Sequence, residues 1–328
     1  MADTLPAIEV DSNAGSFVSD SAFEDGTSTA SASLASSVID YVYENGRRYH
    51  AYRKGQYVLP NDPEEQDRLD LGHHLFRLLL GGKLFQAPID PENKRVLDIG
   101  TGTGIWAIDV GDEYPNAQVI GTDLSPIQPT WIPPNVRFYV DDAESDWVYP
   151  ADEAFDLIHG RGLSGAIGDW DRLIRQSFNN LKPGGWLEFH EAEAQAQSDD
   201  DTVERAVSTM EFVRLCNDAA RQFGREVSCA HLIKDRMINA GFVDVTCEMM
   251  KVPIGVWSKS KRLKEIGRFQ GENCISGVEP YTLGFIGKGL GWTELECKVF
   301  VAKVIAELRD PKNHFYSLFY FVHGKKPE

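Results

Sequence analysis

The sequence predicts an open α/β fold built on a sheet of seven strands. Short apolar runs of strand length alternate with helical segments through the body of the chain, which implies a parallel sheet covered on both faces. One such run, Arg95-Val96-Leu97-Asp98-Ile99, enters the glycine loop Gly100-Thr101-Gly102-Thr103-Gly104. The following strand ends on an acid, Asp123, nineteen residues beyond Gly104. Strands are expected at 95–99, 117–122, 136–140, 155–159, 185–190, 242–251 and 315–322, with helices between the first five.

A strand, a glycine loop and an acid ending the next strand together form a cradle for a nucleotide-type cofactor. Gly100, Gly102 and Gly104 let the backbone turn sharply and approach a ligand closely, and Asp123 suits a ribose diol. A dinucleotide fits poorly. Counted from Gly100, the sixth position is Ile105, where a pyrophosphate loop needs Gly or Ala, and Asp98 would face a diphosphate with the wrong charge. Asp98 could instead pair with the ammonium of an amino-acid-bearing cofactor such as S-adenosylmethionine. Ligands of open α/β sheets bind beyond the carboxyl ends of the strands, a rule that selects Asp98, Asp123, Asp141, Asp142, His159, Arg161, His190 and Glu191.

Val96-Leu97-Asp98-Ile99-Gly100-Thr101-Gly102-Thr103-Gly104 resembles motif I of class I S-adenosylmethionine-dependent methyltransferases. Further stretches, Gly121 to Pro129, Ile132 to Val136, Leu181 to Trp186 and Tyr43 to His50, resemble the LaeA-like fungal methyltransferases, over roughly residues 34 to 328. The resemblance implies a Rossmann-like methyltransferase sheet, mostly parallel, with the last two strands as an antiparallel edge pair. It implies S-adenosyl-L-methionine as cofactor, held by Asp98, Gly100, Thr101, Gly102, Gly104, Asp123 and Leu124, with Asp142 and Ala143 on the adenine side. Asp141 could serve in place of Asp142. Trp106 either walls the cofactor or packs under the helix. In Glu44-Asn45-Gly46-Arg47-Arg48-Tyr49-His50, the resemblance favours a cofactor-covering role for Tyr49 and one arginine, taken here as Arg47, since Arg can pair bidentately with a carboxylate. The competing reading of that stretch is a helix end whose basic residues favour the negative dipole terminus.

Three segments are expected. Residues 1–33, with six acidic and no basic residues, read as a disordered, Ser-rich tail. Residues 34–92 read as a helical segment, with Val38, Tyr41, Val42, Asn45 and Tyr49 sharing one helix face and a second helix at about 67–80. Residues 93–328 read as the methyltransferase domain, carrying a helical insertion at about 255–313. There, Thr293-Glu294-Leu295-Glu296 reads as a capping box opening an amphipathic helix that runs to Asp310-Pro311. The insertion and the N-terminal helices are expected either to form a lid over the substrate or to pack on the sheet edge.

Composition narrows the function classes. A net charge of −17 argues against a nucleic-acid partner, which usually requires clustered Lys and Arg. Five scattered cysteines without Cys-x-x-Cys pairs suggest a reducing compartment and no metal site. Neither a secretory signal nor a membrane span is visible, so a cytoplasmic location is expected, with the nucleus as the alternative.

Methyl transfer needs a nucleophile aligned opposite the leaving sulfur, and an alcohol or phenol also profits from a base. His159 and His190, near strand ends, are the candidate catalytic bases. A Tyr-x-x-x-Lys pair, a Pro-Cys nucleophile and an Asn/Asp-Pro-Pro-Tyr loop are all absent, which disfavours oxidoreductases and DNA methylation. With the family resemblance, the expectation is O- or N-methylation of a small molecule in fungal secondary metabolism. The alternative is a LaeA-like regulator that works through protein partners and methylates itself or another protein.

Overall fold

A computed structural model describes residues 5–12, 41–50, 52 and 57–328. The first element departs from expectation. Val42–Glu44 (β1) and Arg47–Tyr49 (β2) pair as an antiparallel hairpin where a helix was predicted. Asn45 (φ 52°) and Gly46 (φ 76°) both occupy the left-handed region at its tip, as a two-residue turn twisted to match its strands requires. This Asn-Gly signal overrides the helical spacing of the apolar residues, and Val38 of that expected helix lies outside the described residues. Residues 5–12, expected as part of a solvated tail, instead run beside the insertion. The Asp11 amide donates to Trp257 O at 2.7 Å and the Lys259 amide to Glu9 O at 2.8 Å. The rest of the expected tail lies outside the described residues.

Helix α1 (Pro63–Leu79) starts where Asp62 caps it, its carboxylate accepting the Glu65 amide at 3.1 Å, with proline in the first turn. After it come β3 (Arg95–Ile99), α2 (Ile105–Glu113), β4 (Gln118–Asp123), β5 (Val136–Val140), β6 (Phe155–Arg161), α3 (Trp170–Asn180) and β7 (Leu181–Ala192). Then follow α4 (Val207–Gln222), α5 (Ile233–Asn239), β8 (Val243–Pro253), α6 (Lys261–Tyr281), α7 (Glu294–Arg309) and β9 (Tyr316–Lys325). Seven strands form one sheet in the order β5-β4-β3-β6-β7-β9-β8. The first five are parallel, and β9 inserts antiparallel between β7 and β8. All seven predicted strands appear, as does the antiparallel edge pair.

The period of two along the strands splits the core. Val96 and Leu157 join a cluster with Trp106, Val110 and Val119 on the α2 face, whereas Leu97 and Ile158 pack with Trp170, Leu173 and Phe189 on the other. Asp98 thereby faces the α2 side. In the insertion, the predicted capping box is present: Thr293 Oγ1 accepts the Glu296 amide, and the Glu296 carboxylate accepts the Thr293 amide at 2.8 Å. Between α6 and α7 the chain is π-helical over Thr282–Gly287. Here Gly284 is required, because a Cβ would stand 2.6 Å from Val58 O. This close approach seats residues 57–61 as a strap near the carboxyl edge of the sheet.

Candidate cofactor cleft and acceptor cavity

The glycine loop leaves β3 with Gly100, Gly102 and Gly104 at φ 62°, 59° and 81°. Its centre is pinned from both sides. Asp123 accepts the Gly102 amide and the Ser125 amide, each at 2.9 Å, and Gln128 Nε2 donates to Gly102 O at 2.6 Å. A cavity of about 130 Å³ opens beside the loop, lined by Asp123 and Leu124 from the end of β4 and by Asp141, Asp142 and Ala143 after β5. Tyr57, Pro60 and Asn61 of the strap close its upper side, and Asn61 Nδ2 donates to Ser125 Oγ at 3.2 Å. Burial pushes Asp123 up to about 6, against the pull of the two amides it accepts.

A second cavity, of about 310 Å³, lies on the other side of the loop. Asp98, Thr101 and Thr103 line its floor, α1 contributes Arg68, Leu69 and Phe76, and α4, α6 and α7 close it with a mostly apolar wall that includes Phe212, Val278 and Val304. Five residues border both cavities: Leu69, Gly100, Gly102, Arg161 and Gly162. The two spaces therefore meet around one constriction.

Asp98 is buried on this floor. Its Oδ2 accepts from Thr101 Oγ1 at 2.6 Å and its Oδ1 from His159 Nδ1 at 2.8 Å. Burial raises Asp98 to about 6, partly offset by Thr101 and by the nearby Arg161. Each oxygen keeps a free lone pair for a further donor. Glu191 is also buried, lines the larger cavity and accepts the amides of Leu163 at 2.7 Å and Ser164 at 2.9 Å. Burial lifts it to about 7. Strand alternation sends Glu188 and His190 to the opposite face, where the Glu188 carboxylate accepts the amides of Gln86 and Ala87, both at 2.7 Å.

The arrangement fits S-adenosylmethionine. At Gly162 (φ 64°) a Cβ would meet no atom within 4 Å, so the backbone borders open space on the edge shared by both cavities. A ligand spanning them would have acids for a ribose and an adenine edge at one end, and Asp98 for an ammonium at the other.

Of the predicted cofactor residues, Asp98, Gly100, Thr101, Gly102, Asp123, Leu124, Asp142 and Ala143 come together around these cavities. Gly104 does not border them. It caps α2, and a Cβ there would stand 2.4 Å from the Phe138 ring. Arg47 and Tyr49 also sit apart. The Arg47 guanidinium makes a bidentate pair with Asp62, at 2.6 and 2.8 Å, and so braces the start of α1, while Lys288 packs over the Tyr49 ring at 4.0 Å. The covering position expected of them belongs to the strap residues Tyr57, Pro60 and Asn61.

Neither candidate base reaches the cavities. His159 is completely buried and stacks on Trp106, with centroids 3.7 Å apart and planes 5° from parallel. Burial holds its imidazole well below the ordinary value, so it is neutral and donates Nδ1–H to Asp98. His190 is completely buried against Phe76 and Phe321, with Nε2 2.5 Å from Glu188 Oε1. A base must touch the proton it removes, so both assignments fail on position. Trp106, in the first turn of α2, packs in the core on that face of the sheet and edges the larger cavity.

Arg161 and Glu191 sit at strand ends and are signalled by that rule alone. Arg68, whose guanidinium pairs with Glu65 at 2.6 and 2.9 Å and donates to Asn273 Oδ1 at 3.0 Å, carries no sequence signal, because its partner on α6 lies 205 residues away. Among the described residues, no group of three His, Cys, Asp or Glu could hold a metal ion. No helix among them is long and apolar enough to cross a membrane.

The chain is similar to known methyltransferases. Residues 71–246 match the methyltransferase-domain family. The chain is 44% identical over 318 residues to methyltransferase pytC of Aspergillus terreus, covering 96% of this chain and 94% of that protein. It is 35% identical over 291 residues to the secondary metabolism regulator LAE1 of Cochliobolus heterostrophus, covering 87% and 94%, respectively. With the secondary metabolism regulator laeA of Aspergillus fumigatus it shares 36% identity over 289 residues, covering 87% of this chain and 76% of that one. Motif, sheet order and relatives converge: the chain belongs to the LaeA-like fungal class I methyltransferases, enzymes that use S-adenosylmethionine.

Proposed function

We propose that this enzyme methylates a small, largely apolar molecule of fungal secondary metabolism at a hydroxyl or amine. The observation that carries the reading is the cavity of about 310 Å³ roofed by α4, α6 and α7 and continuous with the glycine loop. A mostly apolar cavity of this size suits a compact ligand. Arg68, Gln270 and Asn273 give its wall one polar patch, able to orient a carbonyl or hydroxyl of the acceptor.

Asp98, Thr101 and the glycine loop would hold the cofactor's amino-acid end, and Asp123 with Asp142 its nucleoside end. Bound S-adenosylmethionine supplies an electrophilic methyl group. The protein contributes alignment, worth roughly 7–11 kcal/mol where a near-attack geometry is held, and exclusion of water. Glu191 faces the acceptor space and makes no direct ion pair among the described residues, the Arg161 charge acting on it only from a distance. It is the group we assign to receive the acceptor's proton.

The regulator reading draws on the relatives named as regulators. A nuclear address would need a basic signal, yet in the cluster Lys259, Lys261, Arg262 and Lys264 two lysines are engaged, Lys259 with Glu9 at 2.8 Å and Lys264 with Asp11. The deciding experiment supplies labelled S-adenosylmethionine and producer extract to the purified protein. Label in a discrete small molecule supports the proposal. Label confined to protein overturns it in favour of the regulator.

A further inference from the structure

Arg161 ends β6 at the constriction where the two cavities meet, and it is held there from several sides. Its guanidinium donates to His73 Nδ1 at 3.1 Å, and His73 Nε2 lies 3.0 Å from Asp109 Oδ2. A nitrogen that accepts from arginine carries no proton. His73 is therefore the neutral Nε2–H tautomer, donating to Asp109, and burial lowers its affinity for a second proton. Behind the guanidinium, the Phe76 ring lies 5.2 Å from the Arg161 carbon centre. His73 and Phe76 thus fix the fork without neutralising it.

Among the described residues, Arg161 has no carboxylate within 4 Å, whereas Arg47, Arg68 and Arg77 each have one. Removed from water, an arginine with no carboxylate in contact is costly, and burial pushes Arg161 down to about 10 although Asp98, Asp109, Asp70 and Glu191 act on it from farther away. The site is built to receive a carboxylate. Along the cleft, Asp123 borders only the smaller cavity, Asp98 only the larger, and Arg161 both. A ligand with its ribose at Asp123 and its ammonium at Asp98 would carry its α-carboxylate past Arg161.

We infer that Arg161, held by His73 and Phe76, binds the α-carboxylate of the cofactor's amino-acid end, the role that sequence reasoning gave to Arg47. The inference rests on the cofactor assignment and not on the identity of the acceptor. A carboxylate on the acceptor is the other possible source of the same chemistry, and the experiment separates the two.

Calorimetric titration of the full chain with S-adenosylhomocysteine, its decarboxylated analogue and 5′-methylthioadenosine tests the inference. Wild-type protein is expected to bind the decarboxylated analogue about 10- to 100-fold more weakly than S-adenosylhomocysteine, the range for a charge-assisted bidentate contact. Arg161→Gln is expected to lose a similar factor for S-adenosylhomocysteine while holding 5′-methylthioadenosine within about twofold, and Arg161→Lys to fall between. Equal wild-type affinity for S-adenosylhomocysteine and the decarboxylated analogue overturns the inference, and needs no variant to fold. So does an Arg161→Gln protein that binds S-adenosylhomocysteine normally, which points to the acceptor instead, or one that weakens on all three ligands alike, which marks a structural role. Failure of wild-type protein to bind any of the three would overturn the cofactor assignment itself.

Discussion

The two cavities that meet at Gly102, Gly162 and Arg161 are walled by different materials. Around the smaller, the wall is largely loop backbone and short acids at the carboxyl ends of β3, β4 and β5, contributed by Ile99, Gly100 and Gly102 and by residues 122–125 and 141–144. Around the larger, it is side chains from α1, α4, α6 and α7, segments that begin at residue 63 and end at 309. Backbone held by parallel strands is hard to re-shape by substitution, whereas a helix wall changes volume with each side chain. One scaffold can thus keep its cofactor while its acceptor space is re-cut, consistent with function residing in sites grafted on folds.

That contrast can be broken by experiment. The largest effect is expected from Glu191→Gln, assayed with the acceptor recovered by labelling: kcat falls by about 10² to 10⁴ while S-adenosylhomocysteine affinity is kept. In wild-type protein the base must be ionised, so the rate should rise with pH through about 7 and this arm should vanish in the variant. A retained arm would remove Glu191 from the proton path.

Asp98→Asn should weaken S-adenosylhomocysteine by about 10- to 100-fold, because a neutral amide cannot pair with the ammonium. The same logic sets a pH dependence. Asp98 titrates at about 6 in the ligand-free protein, so cofactor affinity should fall as pH drops below that value. Stability runs the other way. A carboxyl whose folded pKa lies above its unfolded one binds its proton more tightly in the native state, so lowering pH from about 6 towards 4 favours folding at this site. The Asp98→Asn protein should accordingly keep or raise its ligand-free Tm, and a large drop in Tm would contradict this account.

Two glycines sharpen the distinction between lining a cavity and supporting it. Gly162→Ala pays the left-handed backbone cost of roughly 1–2 kcal/mol but meets no neighbour, so its main loss should be in cofactor binding. Gly104→Ala pays a similar cost and also drives its Cβ into Phe138, so its loss should appear chiefly as a lower Tm. A smaller, one-sided effect is expected from substituting Val213, which lines the larger cavity from α4: in Val213→Phe, turnover of the acceptor drops about 10-fold with S-adenosylhomocysteine affinity unchanged. Smallest for ligand binding is Arg47→Ala, which should shift S-adenosylhomocysteine affinity by no more than about threefold while costing about 1–3 kcal/mol of stability through the lost Asp62 pair. A larger loss of affinity would restore Arg47 to the cofactor site.

The same difference in materials explains what could be read from the chain. Asp98, Gly102, Asp123 and Ala143 sit on strand ends, where a local pattern of apolar run, glycine and acid fixes their position, and each strand came within a few residues of its expected limits. The hairpin at 42–49 was missed because apolar spacing was weighed above the Asn45-Gly46 turn, whose paired positive φ angles only a hairpin explains. His159 and His190 were misread because proximity to a strand end does not say which face a side chain takes; the stack on Trp106 and the Glu188 contact decide that. Pairings such as Arg68 with Asn273 depend on how distant helices dock, and no window of sequence contains them.

The position of β9 has a consequence for biosynthesis. Strands β3 to β7 can align as residues 95–192 leave the ribosome, so the strands that carry the glycine loop and its acids are paired early. By contrast, β8 has no partner in the sheet until Tyr316–Lys325 arrives to pair with it on one side and with β7 on the other. The roof helices α6 and α7 emerge during that interval, between the two strands that will pair. Such non-local pairing closes slowly, so the sheet edge beneath the acceptor half is the last part of the sheet to be completed.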